Sequence, residues 1–299
     1  MYVVRKTGQR TVIQVVEATP LRQRPLRLWL DTRARLRELW LYRGLMQNLV
    51  LRDLKVRYKN SILGVFWSLL NPLLMMLVFT AVFTVMRGSP IAKFPAFVLV
   101  GLLPWQFFHD SVSGATHSIV GNSHLINKVY FPREILVISG VLSNLVNFLI
   151  GLLLLILIFS LFGLPLKGWA LLLPIMIVIQ IIFILGLSFT VAAANVFYRD
   201  VGMLVSVVLL AGFFLTPVFY PMSQLPKSYM LFGIDWDVWR LVYYLNPMAS
   251  IIENYRIILF IGAKPAFPFV FRTFITAVGF LVIGLAIFYR YHSRFGEEV

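Results

Sequence analysis

The chain has 299 residues, 60% of them hydrophobic and 13% charged, with a mean hydropathy of +0.85 and a net charge of +15. A soluble domain carries about 25% charged residues, so this composition excludes an ordinary soluble enzyme and predicts an all-α polytopic membrane protein. The absence of cysteine excludes disulfides and thiolate metal centres.

Residues 1–43 form a basic extension, with a β-like piece at Thr11 to Val16 and a helix expected over Thr32 to Tyr42, capped by Asp31. Residues 1–61 hold 14 Lys or Arg against Glu17, Asp31, Glu38 and Asp53, and a basic flank before a first span marks the cytoplasmic side. These cations are interleaved with Leu and Trp beside a membrane anchor, which argues against nucleic acid as a partner. Residues 44–60 contain the clearest amphipathic helix, Leu45 to Lys59. Leu45, Met46, Leu49, Val50, Leu54 and Tyr58 recur at i, i+3/i+4, and Gln47, Asn48, Arg52, Asp53, Lys55, Arg57 and Lys59 take the other face. Such a helix is expected to lie in the headgroup layer, where basic side chains snorkel and touch lipid or a partner.

Residues 61–290 form the transmembrane domain, with spans expected at about 62–86, 94–120, 136–162, 170–194, 201–220 and 272–288. The first apolar run begins near Ile62, too late for a cleaved signal peptide. Arg87 to Pro90 turn outside, and Pro104-Trp105 is expected to kink the second span. Between the second and third spans lies a charged elbow, Asn127 to Ile135. The 17 residues from Ser111 to Asn127 and the 32 from Ile135 to Leu166 carry no charge, whereas Lys128, Arg133 and Glu134 fall within seven residues. A charge at the bilayer centre costs about 2.5–3.5 kcal/mol even on the lenient insertion scale, so the elbow lies in water. Pro132 fixes its own φ and pushes Phe131 out of the helical region. The resulting bend is expected to display Tyr130 and Phe131 to a second protein. In the fourth span Gly186, Ser188 and Ala192 to Ala194 permit close helix approach. Asn195 to Asp200 form a second inside loop. The 51 residues 221–271 contain short apolar pieces, five prolines and several charges. They read as an outer cap with re-entrant helices bordering a pathway, since non-helical backbone at membrane depth needs protein or water around it. A tail, 291–299, ends the chain. Six spans place both termini in the cytoplasm, with 19 Lys or Arg on inside segments and eight outside; four of those eight sit in the long cap and a fifth, Arg272, borders it, and the cap weighs little.

The residues offer little chemistry. GxxxxGK[ST], HExxH and GxSxG motifs are absent. His117 and His124 are about 10.5 Å apart along a helix, farther than two ligands of one zinc. Asp235-Trp236-Asp237 matches the DxD pattern of metal-dependent sugar transferases, but only in two residues and on the outer side. Asp110, the one carboxylate within an expected span, is suited to lining a polar pathway or to structural hydrogen bonding. Trp67, Trp105, Trp169 and Trp239 suit an interfacial belt. Phe66, Tyr198, Phe213 and Phe214 are candidates to line a sugar pathway, because flat aromatic faces contact pyranose rings.

Six blocks occur in a telling order: LRDLKVRYKNSILGVFWSLLNPLL (51–74), GLLPWQFF (101–108), INKVYFPREIL (126–136), NVFYRDVG (195–202), FFLTPVFYP (213–221) and YLNPMASIIENYR (244–256). Together the chain resembles the permease subunit of an ABC-2 type polysaccharide exporter, of the kind that exports O antigen, capsule or teichoic acid. The resemblance covers about residues 44–290; the first 40 or so residues are longer and more basic than the family pattern. It implies a homodimer in the bacterial plasma membrane, working with two copies of a separate ATPase subunit. ATP and Mg would sit on that subunit, with no cofactor on this chain. It also implies ATPase-coupling roles for Arg52, Asp53, Arg57 and Tyr58, for Lys128, Tyr130, Phe131, Pro132, Arg133 and Glu134, and for Arg199 and Asp200. Tyr220, Asn246, Pro247, Glu253 and Arg256 fall in the pieces that resemble the family's outer gate. The channel at the dimer axis would carry a polymer attached to a polyprenyl lipid. The competing readings are an ABC-2 exporter of drugs or lipids, a polyprenyl-linked glycosyltransferase using Asp235 and Asp237, and a receptor or scaffold.

Overall fold

The computed structural model describes residues 2–7, 10–15, 32–59, 61, 64, 66–87, 91, 93–161, 163, 166–225, 229–231, 234–237, 242 and 246–298. The expected Asp31 cap, the turn at 88–90, Pro226, Trp239 and Arg240 lie outside these residues. The chain divides into two units, 1–43 and 44–299. In the first, β1 (Tyr2–Thr7) and β2 (Arg10–Val15) pair as an antiparallel hairpin, and α1 spans Thr32–Leu41.

The second unit is helical. Its helices are α2 (Arg43–Tyr58), α3 (Phe66–Arg87), α4 (Phe94–Ser118), α5 (Ser123–Lys128), α6 (Glu134–Leu161), α7 (Leu173–Phe197), α8 (Val201–Leu215), α9 (Pro247–Tyr255), α10 (Phe267–Tyr291) and α11 (Phe295–Glu298). A short hairpin, β3 (Tyr229–Leu231) with β4 (Ile234–Trp236), lies between α8 and α9. Among the described residues, four segments are long and apolar enough to cross a membrane: Trp67–Val85, Glu134–Leu161, Gly168–Phe197 and Phe267–Arg294. Helix α4 has 25 residues but bears His109 and Asp110 toward its C-terminal end, and α8 has only 15.

Local chemistry explains the helix ends. Gly64 adopts φ +48°, open to glycine at no steric cost, and α3 begins just after it at Phe66. Helix α8 stops at Leu215, short of the expected 220. Pro217 disfavours the helical region for Thr216, which is extended at φ −92°, ψ 135°. Helix α7 continues to Phe197, so the second loop shrinks to Tyr198–Asp200. Pro268 sits in the first turn of α10, where its missing N–H costs nothing, and that helix starts ahead of the expected 272.

Helix α4 is the centre of the bundle: 17 of its 25 residues are buried, and it packs against α3, α6, α7, α8 and α9. Helix α8 buries only Leu209, and α3 turns Leu74, Met75, Leu77, Val78 and Val82 outward. The tightest pairing joins α7 to α10. A Cβ added at Gly186 would lie 2.5 Å from the Leu281 nitrogen, and one added at Gly284 would run into the Gly186 carbonyl. Backbone meets backbone here, the close approach that small residues allow between helices.

Gly186→Ala or Gly284→Ala must therefore force the two helices apart, at about 1–3 kcal/mol. Gly279, with open space where its Cβ would be, is the control: Gly279→Ala should be neutral or slightly stabilising, since Ala exceeds Gly in helix propensity by about 1 kcal/mol. Thermal unfolding of the three detergent-purified variants checks this ordering.

Candidate functional site

Two regions at opposite ends of the bundle hold most of the residues singled out in the sequence. At one end the chain leaves α8 as an irregular, buried stretch, Thr216 to Val218. Its backbone polar groups have no helix to satisfy them, and burial makes bare carbonyls costly. Arg256, only 2% exposed, supplies the donors. Its Nη2 donates to the Val218 carbonyl (2.6 Å) and its Nη1 to the Tyr220 carbonyl (3.2 Å). The guanidinium lies 3.9 Å from the centre of the Phe97 ring, and Glu253 Oε2 is 3.8 Å away, one turn before it. Asn246 caps α9 by accepting from the Ala249 N–H (3.1 Å), while its Nδ2 donates to Thr216 Oγ1 (2.8 Å). Pro247 fills the first turn of the same helix. Beyond Tyr255 the helix widens into a π segment, Arg256–Ile261, closed by Gly262 at φ +67°.

Arg256 fits only because α4 has a glycine there. A Cβ at Gly101 would stand 2.6 Å from the Val218 oxygen and 2.9 Å from Arg256 Nη2. One turn further in, the Tyr255 hydroxyl donates to Gln180 Oε1 (2.9 Å), and Gln180 Nε2 donates to the Pro104 carbonyl (2.8 Å). This chain ties α9 to α7 and α4. The structure thus brings Tyr220, Asn246, Pro247, Glu253 and Arg256 together.

Phe213 and Phe214 join them through aromatic contacts that sequence reasoning did not select. Phe219 stacks on Phe79 (5.5 Å) and meets Phe83, Phe213, Phe214 and Tyr220 at 5.1–6.0 Å. Trp105 extends the cluster inward from Phe213 (5.8 Å). Phe79 and Phe83 lie one turn apart on α3, a spacing that could have flagged them. Phe66, at the far end of α3, and Tyr198, after α7, are both exposed and lie apart from this cluster.

At the other end, α5 and the end of α7 both meet the helix Phe295–Glu298, the elbow leads from α5 into α6, and Tyr198–Asp200 lead from α7 into α8. Tyr130 is 67% exposed and Lys128 and Val129 are exposed with it, as are Tyr198, Arg199 and Asp200. Phe131 is not displayed: it is 7% exposed, because leaving the helical region at the residue before proline turns it inward. Glu134 is buried as the first residue of α6. Arg133 also points inward, donating to the His292 carbonyl and lying 5.8 Å from the centre of the Phe295 ring. Burial holds its guanidinium below the ordinary arginine range, against the pull of Glu134 beside it.

Helix α2 is fastened to this end by its polar side chains. Arg52 pairs with Asp53 (2.8 Å) and donates to Asn122 Oδ1 (3.0 Å). Arg57 donates to Asn144 Oδ1 and Tyr58 to Asn147 Oδ1, both at 2.6 Å. Arg57 and Tyr58 thus hold α2 onto α6. Between α2 and α6 runs a groove of about 980 Å³ with Arg52, Lys55 and Lys59 on one side and Val146 and Ile150 on the other. A neighbouring polar recess of about 360 Å³ is lined by Arg57, Asn71, Gln106, Asp110, Asn144 and Asn147 among others. Asp110, bonded to His109 Nδ1 (3.1 Å), therefore belongs to this recess and not to the aromatic cluster. Among the described residues no three His, Cys, Asp or Glu side chains gather to hold a metal ion.

Residues 45–260 match the family model of the ABC-2 type transporters. The chain belongs to that family. Within the ABC-2 group it is 37% identical to the O-antigen export system permease protein RfbA of Myxococcus xanthus over 263 residues, 88% of this chain and 98% of the relative. It is 31% identical to the RfbA protein of Klebsiella pneumoniae over 247 residues, 82% of this chain and 91% of that one. Similarity extends to the polysialic acid transport protein KpsM of Escherichia coli, 23% identical over 223 residues, 71% of this chain and 79% of the relative. The ABC-2 match takes in α3 to α9 and most of α2 and of the π segment.

Arg256→Met keeps the stem but strips the donors from two buried carbonyls, at about 1–3 kcal/mol for each. It should lower the unfolding temperature of the purified chain markedly. Arg256→Lys, which keeps the charge but loses the fork, should fall between. Gly101→Ala, far from any charge change, should reproduce much of the Met effect by displacing the guanidinium.

Proposed function

We propose that the chain is the permease subunit of a bacterial ABC exporter of a lipid-linked polysaccharide. The observation that carries this reading is the near full-length match to an O-antigen export permease, covering 98% of that relative. Six spans, α3, α4, α6, α7, α8 and α10, cross the plasma membrane with both termini in the cytoplasm, in keeping with the basic bias of the short inside loops. Helix α2 lies at the cytoplasmic headgroup layer, its cations Arg52, Lys55 and Lys59 facing anionic lipid across the groove beside α6. Residues 216–266 form the outer gate, with α9 and the π segment re-entrant. Two copies of the chain pair through the outward apolar faces of α3 and α8, and the glycan passes between them, attached to its polyprenyl lipid.

The chain hydrolyses nothing; two copies of a separate ATPase, with ATP and Mg, supply the power. The exposed trio Lys128, Val129 and Tyr130, with Tyr198, Arg199 and Asp200, offers aromatic and charged groups together, the composition that anchors transient interfaces. Closure of the ATPase dimer pushes this surface, tilts the helices it begins and shifts the population toward an open path.

The test is the double variant Lys128→Glu, Tyr130→Ala. It should reach the membrane folded, lose most of the co-purifying ATPase and leave lipid-linked glycan inside the cell. A variant that retains the ATPase places the docking site elsewhere, and purified chain that moves glycan with no nucleotide hydrolase present refutes the reading that a separate ATPase drives it.

A further inference from the structure

The segment that follows α10 does not trail away from the bundle. Its first turn, His292–Arg294, leads into α11, which packs against α5 and the end of α7. Phe295 is fully buried. Its ring meets Phe288 of α10 at 5.2 Å and Phe197 of α7 at 6.1 Å, and Tyr291 meets Phe197 at 5.5 Å. The Arg133 guanidinium lies 5.8 Å from the centre of the Phe295 ring, within cation–π range. The same guanidinium donates to the His292 carbonyl. A Cβ at Gly296 would stand 3.1 Å from Arg133 Nη2. Residues 133 and 292–296 thus form one interlocked joint, 159 positions apart in sequence at the Arg133–His292 bond.

This joint connects what is exposed to what is rigid. On one side is the elbow, with Lys128, Val129 and Tyr130 open to solvent. On the other are α7 and α10, locked backbone to backbone at Gly186 and Gly284. We propose that residues 292–298 are a strut that sets the elbow's position and carries its displacement into the α7–α10 pair. Arg133 and Phe295 are its positioning residues. Arg133 therefore serves coupling through this strut and not by touching the ATPase. The inference rests on the reading that an ATPase docks at the elbow.

The test uses the full permease–ATPase complex in lipid vesicles, reading hydrolysis and glycan export together. Phe295→Ala should keep the ATPase bound and its hydrolysis within twofold of the native complex, yet cut export at least tenfold. Arg133→Gln should do the same, and the double variant should be no worse than either alone, because both remove one link. Gly296→Val, at an exposed position that leaves Phe295 in place, should uncouple two- to fivefold and decides the matter if Phe295→Ala does not fold. Export at the native ratio in Gly296→Val and Phe295→Ala, multiplying effects in the double variant, or loss of the ATPase from folded Phe295→Ala would overturn the strut. Its failure is separable from that of the docking reading. If Lys128→Glu, Tyr130→Ala retains the ATPase, docking is wrong; if it loses the ATPase while Phe295→Ala exports normally, only the strut is wrong.

Discussion

A buried backbone carbonyl in an apolar bundle has no water to turn to, and the region after α8 is organised around that fact. From Thr216 to Val218 the chain abandons the helix while staying inside the protein. Arg256 answers for Val218 and Tyr220 together, and Asn246 ties Thr216 to the first turn of α9. A forked cation suits this better than a lysine, because its donors diverge within one plane and its flat face rests on Phe97. The arrangement also dictates residues that make none of these bonds. Gly101 must lack a side chain for the guanidinium to reach Val218. Gln180 must accept from Tyr255 and donate to Pro104 at once. The segment after α8, α9 and the N-terminal half of α4 are therefore one object, and none of them can shift without baring a polar group.

The sequence reveals helices readily and their inner faces poorly. Long apolar runs broken by charge mark α3, α4, α6, α7 and α10, and proline with glycine marks most of their ends. What it conceals depends on partners distant in the chain. The block around FPRE reads as a display of Tyr130 and Phe131, with a coupling role for Arg133, and the bend at Pro132 is local. Phe131 is nonetheless buried and Arg133 is turned toward residues more than 150 positions later. The small-residue stripe of α7 is plain at Gly186, Ser188 and Ala192 to Ala194, yet nothing near it announces Gly284 as its partner. Of the gate residues, Asn246, Pro247, Glu253 and Arg256 were legible as one block because they fall within eleven positions. Phe79 and Phe83 offered only their one-turn spacing, and Phe219 offered nothing, since among 26 phenylalanines three-dimensional packing singles out the ones that meet.

The helices also differ in how firmly they are held. α7 and α10 touch along their backbones, where bulk cannot be added, and α4 is buried over most of its length. These three make a frame. α3 and α8 present mainly outward apolar side chains, and α8 buries only Leu209 along its length. Elements with few buried contacts are the ones that move at low cost. In the proposed conduit, α3 and α8 would be the walls that part and α4, α7 and α10 the frame that does not. Phe79 of α3 meets Phe213 of α8 and Phe219 of the segment after it, contacts between flat rings that can slide past each other without breaking a hydrogen bond. The frame, by contrast, ends at the elbow through Phe197, Phe288 and Phe295. On the proposed docking, force received at the elbow would be delivered first to the stiffest part of the molecule, and α3 and α8 would yield in response. That order makes a push of small amplitude effective, because a rigid lever loses little of it before reaching the wall that opens.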